Sequence, residues 1–340
     1  MCLNYYSTIL SEFSNSSYRD RREVKIVQSP VSGSSHAKII LIGEHSVVYH
    51  QPAIALPLPA VRESATLTAR QDGQQQLVSR YYQGPRQDAP ASLYGINHLI
   101  DVLLKQFTFH GGFTLDITSH LPAERGMGSS AATAVAIIRA LYQFVEQPLS
   151  HDQLLADADI SERIIHGNPS GIDVATASAQ DPIWFITGEE PVSLPFHLHG
   201  YLVVADSGIH GQTGQAVKAV ADLRRAQPAV ATPIINELGH LTYGAKSALA
   251  NDQLIRLGTI FNRAQTLLAR LGVSHPKLDE MITLANQNGA LGAKLTGGGM
   301  GGCMICLAAD ESSAARIRVA LANSGVTQSW VQPLISEESK

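Results

Sequence analysis

The chain has 340 residues, 44% hydrophobic and 16% charged, with a formal net charge of −4. That balance suits two well-cored folded units and argues against disorder, and without a basic block it argues against a nucleic-acid groove or an anionic membrane surface. Three cysteines, Cys2, Cys303 and Cys306, are too few for a disulfide framework, and no apolar run nears a bilayer crossing, so a small-molecule ligand and the cytoplasm are expected.

The first residues, "MCLNYYSTILSEFSNSSYRDRREVK", lack a basic segment followed by a compact apolar one, so residues 1–23 read as a loosely held extension rather than a signal peptide. From Val24 the run "VKIVQSPVSGSSHAKIILIGEHSVVYHQPAIALPL" alternates β-branched stretches with Gly, Ser and Pro and predicts strands joined by turns. In "GFTLDITSHLP", Phe113, Leu115 and Ile117 share one face and Thr114, Asp116 and Thr118 the other, the pattern of a half-exposed strand, more antiparallel than parallel. A largely buried helix is predicted from Ser129 to about Glu146, with a polar stripe at Arg139, Gln143 and Glu146. A second follows over His151–His166, capped by Ser150 and closed by Gly167. "PIWFI" and "YLVVADS" read as strands flanking a proline-containing connection, Pro191 to Gly200, where the domain boundary is placed, giving units over 24–195 and 196–340. Helices are expected around 212–226, 233–248, 252–271 and 276–288, before "GALGAKLTGGGMGGCMICLAAD".

One stretch, "LPAERGMGSSAATAVAII", carries chemistry. Gly126 and Gly128 allow backbone turns barred to other residues and let a ligand approach the main chain. Ser129 and Ser130 then fall in a first helical turn, where unpaired N–H groups and the helix dipole favour an anion. The stretch reads as a phosphate cradle; the plainer alternative is a serine-capped turn without a ligand. A Walker A loop is excluded, since Ser129 stands where its lysine must follow the last glycine. Two dinucleotide fingerprints fail on context: "GMGSSA" lies too far beyond its strand, and "GGGMGG" leads into a strand where a helix is required. Cys303 and Cys306 form a lone C-x-x-C on that strand and face opposite ways, as structural cysteines would.

A second stretch, "SERIIHGNPSGIDVATA", supplies two carboxylates. Asp173 falls in a first helical turn, which stabilises the anion, and Glu162 closes the preceding helix. Near a phosphate cradle they suggest divided labour: Glu162 with a serine hydroxyl holding Mg²⁺, and Asp173 receiving a proton from an attacking hydroxyl. Their structural alternatives are a solvated helix-end charge and a cap. A hydrolase triad of His166, Ser170 and Asp173 is disfavoured by its crowding into one turn.

With "AKIILIGEHSVVYHQPAIALPL", "LPAERGMGSSAATAVA" and "KLTGGGMGGCMICLA" in that order, the chain resembles the GHMP kinases from about Ser32 to Ala308, and "ERIIHGNPSGID" is similar to the branch that phosphorylates mevalonate. The resemblance implies a two-domain α/β (α+β) fold, with an N-terminal half like ribosomal protein S5 domain 2 and a ferredoxin-like C-terminal half, and phosphorylation of the primary hydroxyl of (R)-mevalonate by MgATP. It places the catalytic lysine at Lys38, the base at Asp173 and the Mg²⁺ ligands at Ser130 and Glu162. Gly126, Met127, Gly128, Ser129, Ser130 and Ala131 match the phosphate loop, and Gly297, Gly298 and Gly299 the third motif that supports it. Glu44, His45 and Thr213 are expected near the substrate. Two departures stand out: "SSHAK" replaces the commoner "PGK" before the lysine, and a methionine, Met300, interrupts the last glycine run.

Apart from the resemblance, Lys38 reads as a solvent-facing strand charge. Alternatives are another GHMP kinase, acting on phosphomevalonate, homoserine or a sugar, a GHMP decarboxylase, or a non-catalytic sensor; Lys38, Ser130, Glu162 and Asp173 together disfavour the sensor, which needs no base. "VVYHQPAIALPL" and the loop "SGIHGQTG" offer a wall and polar partners for a branched hydroxy acid, and the pocket segments show only Lys38 and Arg163 as cations, too few for a second phosphate. The partners expected are the small molecules ATP and mevalonate and a second copy of the chain in a homodimer.

Overall fold

The structure, a computed structural model, describes residues 25–119, 121, 125–166 and 171–334. The expected N-terminal extension and the turn "GNPS" lie outside them.

Two sheets organise the described chain. The first is built on a long hairpin, β1 (Val31–Ile42) and β2 (Ala53–Arg70), paired antiparallel with Ile39 opposite Leu56. β3 (Gln75–Val78) and β4 (Gln83–Pro85) follow, then β5 (Gly112–Ser119), β6 (Ile183–Phe185) and β7 (Val192–Ser193). Their order is β4-β3-β5-β2-β6-β7, with β1 joined to β2. β5 is antiparallel to β2 and parallel to β3. Its alternation holds: Phe113 and Leu115 are buried while Asp116 and Thr118 are exposed.

Helices α1 (Tyr94–Gln106), α2 (Ser129–Phe144), α3 (His151–His166) and α4 (Ile172–Ser178) belong to this half. α2 lies across β1 and β2 and buries nearly every residue except the stripe marked by Arg139 and Gln143. Its alanines permit that close seat, because small side chains let helix and sheet backbones approach. The Ser150 hydroxyl accepts the Gln153 amide at 3.1 Å, so α3 is capped where the sequence predicts.

The second sheet, order β11-β8-β10-β9, is formed by β8 (Tyr201–Asp206), β9 (Gly292–Leu295), β10 (Cys303–Ala308) and β11 (Ser329–Pro333), all antiparallel. Around it run α5 (Thr213–Ala226), α6 (Pro228–Ala250), α7 (Leu254–Arg270), α8 (Pro276–Gln287) and α9 (Glu311–Asn323). α6 begins at Pro228, five residues before the predicted start at 233. Pro228 occupies the first helical position, where its missing N–H costs nothing, and Pro233 is carried inside the helix at the loss of one bond rather than marking its start. No helix among the described residues is long and apolar enough to cross a membrane.

Candidate active site

The phosphate loop has the backbone its glycines foretold. Gly126 and Gly128 take φ of 76° and 71°, and Gly128 is the left-handed residue from which α2 starts at Ser129. The Ser129 and Ser130 amides therefore stand in the first turn of α2, at the positive end of its dipole. The loop is pinned from below: the Lys38 amide donates to the Met127 carbonyl at 2.9 Å, and Met127 is 1% exposed. A Cβ on Gly128 would lie 2.8 Å from Lys38 Cγ, so only glycine lets the lysine pass beneath the loop.

Lys38 is itself buried, which corrects the reading of a solvent-facing strand charge. The β1–β2 register shifts between His36 and Ala37, and just beyond the shift Lys38 faces Pro57, which has no amide to exchange with it. The strand stays continuous through "SSHAK", so the departure from the commoner pattern leaves the lysine's support intact. Its ammonium reaches Asp173 Oδ1 at 2.8 Å, with the aspartate side chain about one-third exposed toward the cleft. Asp173 lies in the first turn of α4, after Gly171 at φ 79°. Of the His166, Ser170 and Asp173 group, only the Asp173 side chain falls among the described residues, and it is paired with Lys38.

Ser130 and Glu162 meet. The Ser130 hydroxyl donates to Glu162 Oε1 at 2.8 Å, and Glu162 is 2% exposed rather than a solvated helix-end charge. A serine serving only as a cap would turn its oxygen to the helix amides; this one turns to a carboxylate.

The third motif closes the cleft from the other half. Gly297 sits against Gly126, and a Cβ on Gly298 would strike Thr213 at 2.7 Å. His45, at φ 59°, bonds through Nε2 to the Gly298 carbonyl at 2.9 Å, and burial lowers its pKa, leaving it neutral at pH 7 with Nε2 as donor. Met300 adopts φ 55° within the glycine run, and its amide is held by the Val273 carbonyl at 2.8 Å. Beneath the motif, Lys294 is fully buried and ion-paired with Glu44. Burial pushes the Glu44 carboxyl up and the Lys294 ammonium down, and each draws the other back toward its charged form. Removing one partner of such a pair costs about 3–5 kcal/mol, so the pair locks the first motif to the third. Glu44 Oε2 has no hydrogen-bond partner among the described residues.

These groups share one cleft of about 1210 Å³. Lys38, Glu44, His45, Ser130, Glu162 and Asp173 all line it, as do Thr213 and the phosphate-loop glycines. Its apolar lining includes Val47, Leu77, Ile96, Ile117, Val174 and Val217.

The sequence reading passed over several residues of this cleft. Arg80 and Arg125 line it beside Lys38 and Arg163, so it holds more cations than expected. Arg80 donates to the Ser119 and Leu121 carbonyls, and Arg125 pairs with Asp206 of β8 at 3.0 Å, a clasp from phosphate loop to second sheet, while its buried Nη1 has no hydrogen-bond partner among the described residues. Glu63, 1% exposed, accepts hydroxyl hydrogens from Thr133 and Ser119, and burial raises its pKa. A signal existed: Glu63 precedes Ala65 and Leu67 at the strand period of two and so shares their buried face. Lys294 offered a similar clue, a charge inside the wholly buried strand "GAKL". Cys303 and Cys306 are free and buried, and burial pushes the Cys306 thiol up to about 12, which leaves both inert as expected of structural cysteines.

A glycine-built helix N-terminus, a lysine–aspartate pair beside it and a second half closing over both define a small-molecule kinase of the GHMP class. Residues 92–180 match the GHMP kinases N terminal domain and residues 245–327 the GHMP kinases C terminal family. The chain is 33% identical over 333 residues to a mevalonate kinase of Thermococcus gammatolerans, covering 91% of this chain and 96% of that relative. The crystal structure of L. major mevalonate kinase in complex with R-mevalonate matches with a TM-score of 0.81 at 26% identity, covering 92% of this chain and 100% of that one. Mevalonate kinase from methicillin-resistant Staphylococcus aureus MRSA252 matches with a TM-score of 0.70 at 32% identity, over 90% and 99% of the respective chains. The chain belongs to the mevalonate kinase family of GHMP kinases.

Proposed function

We propose that the protein transfers the γ-phosphoryl group of ATP to the primary hydroxyl of (R)-mevalonate, giving 5-phosphomevalonate, with Asp173 as base and Lys38 as its electrostatic partner. The observation that carries the reading is the 2.8 Å Lys38–Asp173 contact directly beneath the phosphate loop. A primary alcohol is a poor nucleophile at neutral pH, and phosphoryl transfer is mainly positioning plus charge stabilisation. Asp173, partly exposed to the cleft, accepts the hydroxyl proton as the oxygen attacks phosphorus. Lys38, held by burial and by its backbone bond to Met127, cannot swing away and stabilises negative charge on the attacking oxygen or the transferring group. The first-turn amides at Ser129 and Ser130 receive phosphate oxygens.

The donor set suits Mg²⁺, since Ser130 and Glu162 present hard oxygens side by side and within reach of the phosphate loop. These two residues would hold the ion, which when bound offsets charge on the phosphates of ATP.

Glu44, His45 and Thr213 fit the acceptor pocket. Glu44 lines the cleft, and its buried Oε2 has no hydrogen-bond donor among the described residues. The apolar side chains in the cleft lining, Val47, Val174 and Val217 among them, suit methyl and methylene groups better than a sugar's hydroxyls. Arg80 already holds two protein carbonyls and adds little for a second phosphate.

The test is a comparison of kcat/KM with MgATP for mevalonate, phosphomevalonate, homoserine and galactose. Mevalonate should lead every ratio. A ratio below one against any competitor would overturn the substrate while leaving the kinase chemistry standing.

A further inference from the structure

The connection from the first sheet to the second, residues 194–200, reads "LPFHLHG". Leu198 points inward at 1% exposure, and the histidines on either side of it face outward. Their rings stand edge to face, centroids 4.7 Å apart. Opposite them is Asp252, in the turn between α6 and α7, at φ 51°. Its Oδ1 accepts the His199 amide at 2.7 Å and its Oδ2 lies 2.7 Å from His199 Nδ1. The His197 amide is tied to the Leu249 carbonyl at 3.2 Å. Both sides of the cluster are thus fixed by backbone bonds before any ligand arrives.

The geometry points to a binding site for a divalent transition-metal ion of the Zn²⁺ type, formed by His197, His199 and Asp252. One donor atom from each residue lies within 4.8 Å of the other two. A tetrahedral zinc with bonds near 2.0 Å needs donors about 3.3 Å apart, a difference that rotation of exposed side chains can close. Two imidazoles and one carboxylate are a donor set that zinc takes, and that Mg²⁺ and Ca²⁺, which prefer oxygen, do not. Pairing with Asp252 alone would account for His199 as a turn-capping side chain. It leaves His197 unexplained, since neither of its ring nitrogens has a hydrogen-bond partner among the described residues while its ring is held against its neighbour. Bound metal would tie the connection between the two sheets to the α6–α7 turn. None of the three residues lines the catalytic cleft, so the proposal stands apart from the assignment of the reaction.

The experiment uses tag-free, full-length, chelator-stripped protein titrated with Zn²⁺ against a chromophoric chelator, beside His197→Ala and the double variant His197→Ala/His199→Ala. The wild type should take up one more equivalent than the double variant. His197→Ala should weaken that equivalent at least about tenfold, since loss of even an outer-shell partner costs about 10- to 100-fold in metal affinity. With Cu²⁺ as a spectroscopic probe, the wild type should show nitrogen hyperfine coupling from two imidazoles that the double variant lacks, while turnover with MgATP stays unchanged. Equal zinc uptake by the wild type and the double variant, or identical copper spectra, would overturn the site. A wild type that binds no Zn²⁺ at tenfold molar excess would overturn it equally.

Discussion

Gly128→Ala probes the joint between phosphate loop and lysine. Gly128 holds φ at 71°, and a non-glycine residue in that left-handed region costs about 1–2 kcal/mol. At about 2–4 °C per kcal/mol for a large domain, the melting temperature should fall by only a few degrees, leaving the protein folded at 25 °C. Turnover should suffer far more. The new Cβ sits 2.8 Å from Lys38 Cγ and 3.0 Å from its Cε, so the stem must move by several tenths of an ångström. Its head cannot then hold 2.8 Å to Asp173. Loss of one preorganised charge contact of this kind is worth about 100- to 1000-fold in kcat. Steady-state kinetics read beside thermal melts separate the two effects, and substrate KM should change little if the contact matters chiefly in the transition state. Turnover within about twofold of wild type, at a lowered melting temperature, would refute the claim that Lys38 placement under Gly128 is catalytic.

Ser130→Ala and Glu162→Gln should each shift the Mg²⁺ activation curve to higher concentration and lower the plateau. Were Ser130 only a helix cap, Ser130→Ala would cost about 1 kcal/mol of stability and its Mg²⁺ curve would overlay the wild type. Glu63 gives a pH prediction. Its pKa is raised from 4.5 by burial, so the fold favours the protonated form, and the stability this contributes is present below pH 4.5 and lost as pH climbs through the folded value. Melts of Glu63→Gln and wild type from pH 4 to 8 should show the variant gaining relative to wild type as pH rises. A gap independent of pH would contradict the buried, proton-favouring environment assigned to Glu63.

The local features were legible because local chemistry decides them. Gly126 and Gly128 before a serine-led alanine helix could hardly be anything but a turn feeding a helix N-terminus, and Ser150 caps α3 as Ser-before-helix predicts. The C-x-x-C on β10 read as structural because strand periodicity sends its cysteines to opposite faces, and both are buried. What could not be read are pairings set by residues far apart in the chain. Lys38 lies 135 positions from Asp173, and nothing near "SSHAK" announces that its ammonium will be buried. Glu44 and Lys294 come from opposite halves, as do Arg125 and Asp206. The start of α6 was missed for a different reason: Pro233 looks like a boundary, but tertiary packing of Ile234, Ile235 and Leu238 outweighs one lost helical bond.

The central claim is that Asp173 takes the proton from the acceptor hydroxyl, and the single-turnover rate of Asp173→Asn with MgATP and mevalonate tests it most directly. The substitution keeps size and hydrogen bonding but removes the base. The account predicts a rate lower by at least about 100-fold, the scale of general-base catalysis, with nucleotide affinity nearly unchanged. A rate within about threefold of wild type, or a loss that saturating ATP restores, would contradict it.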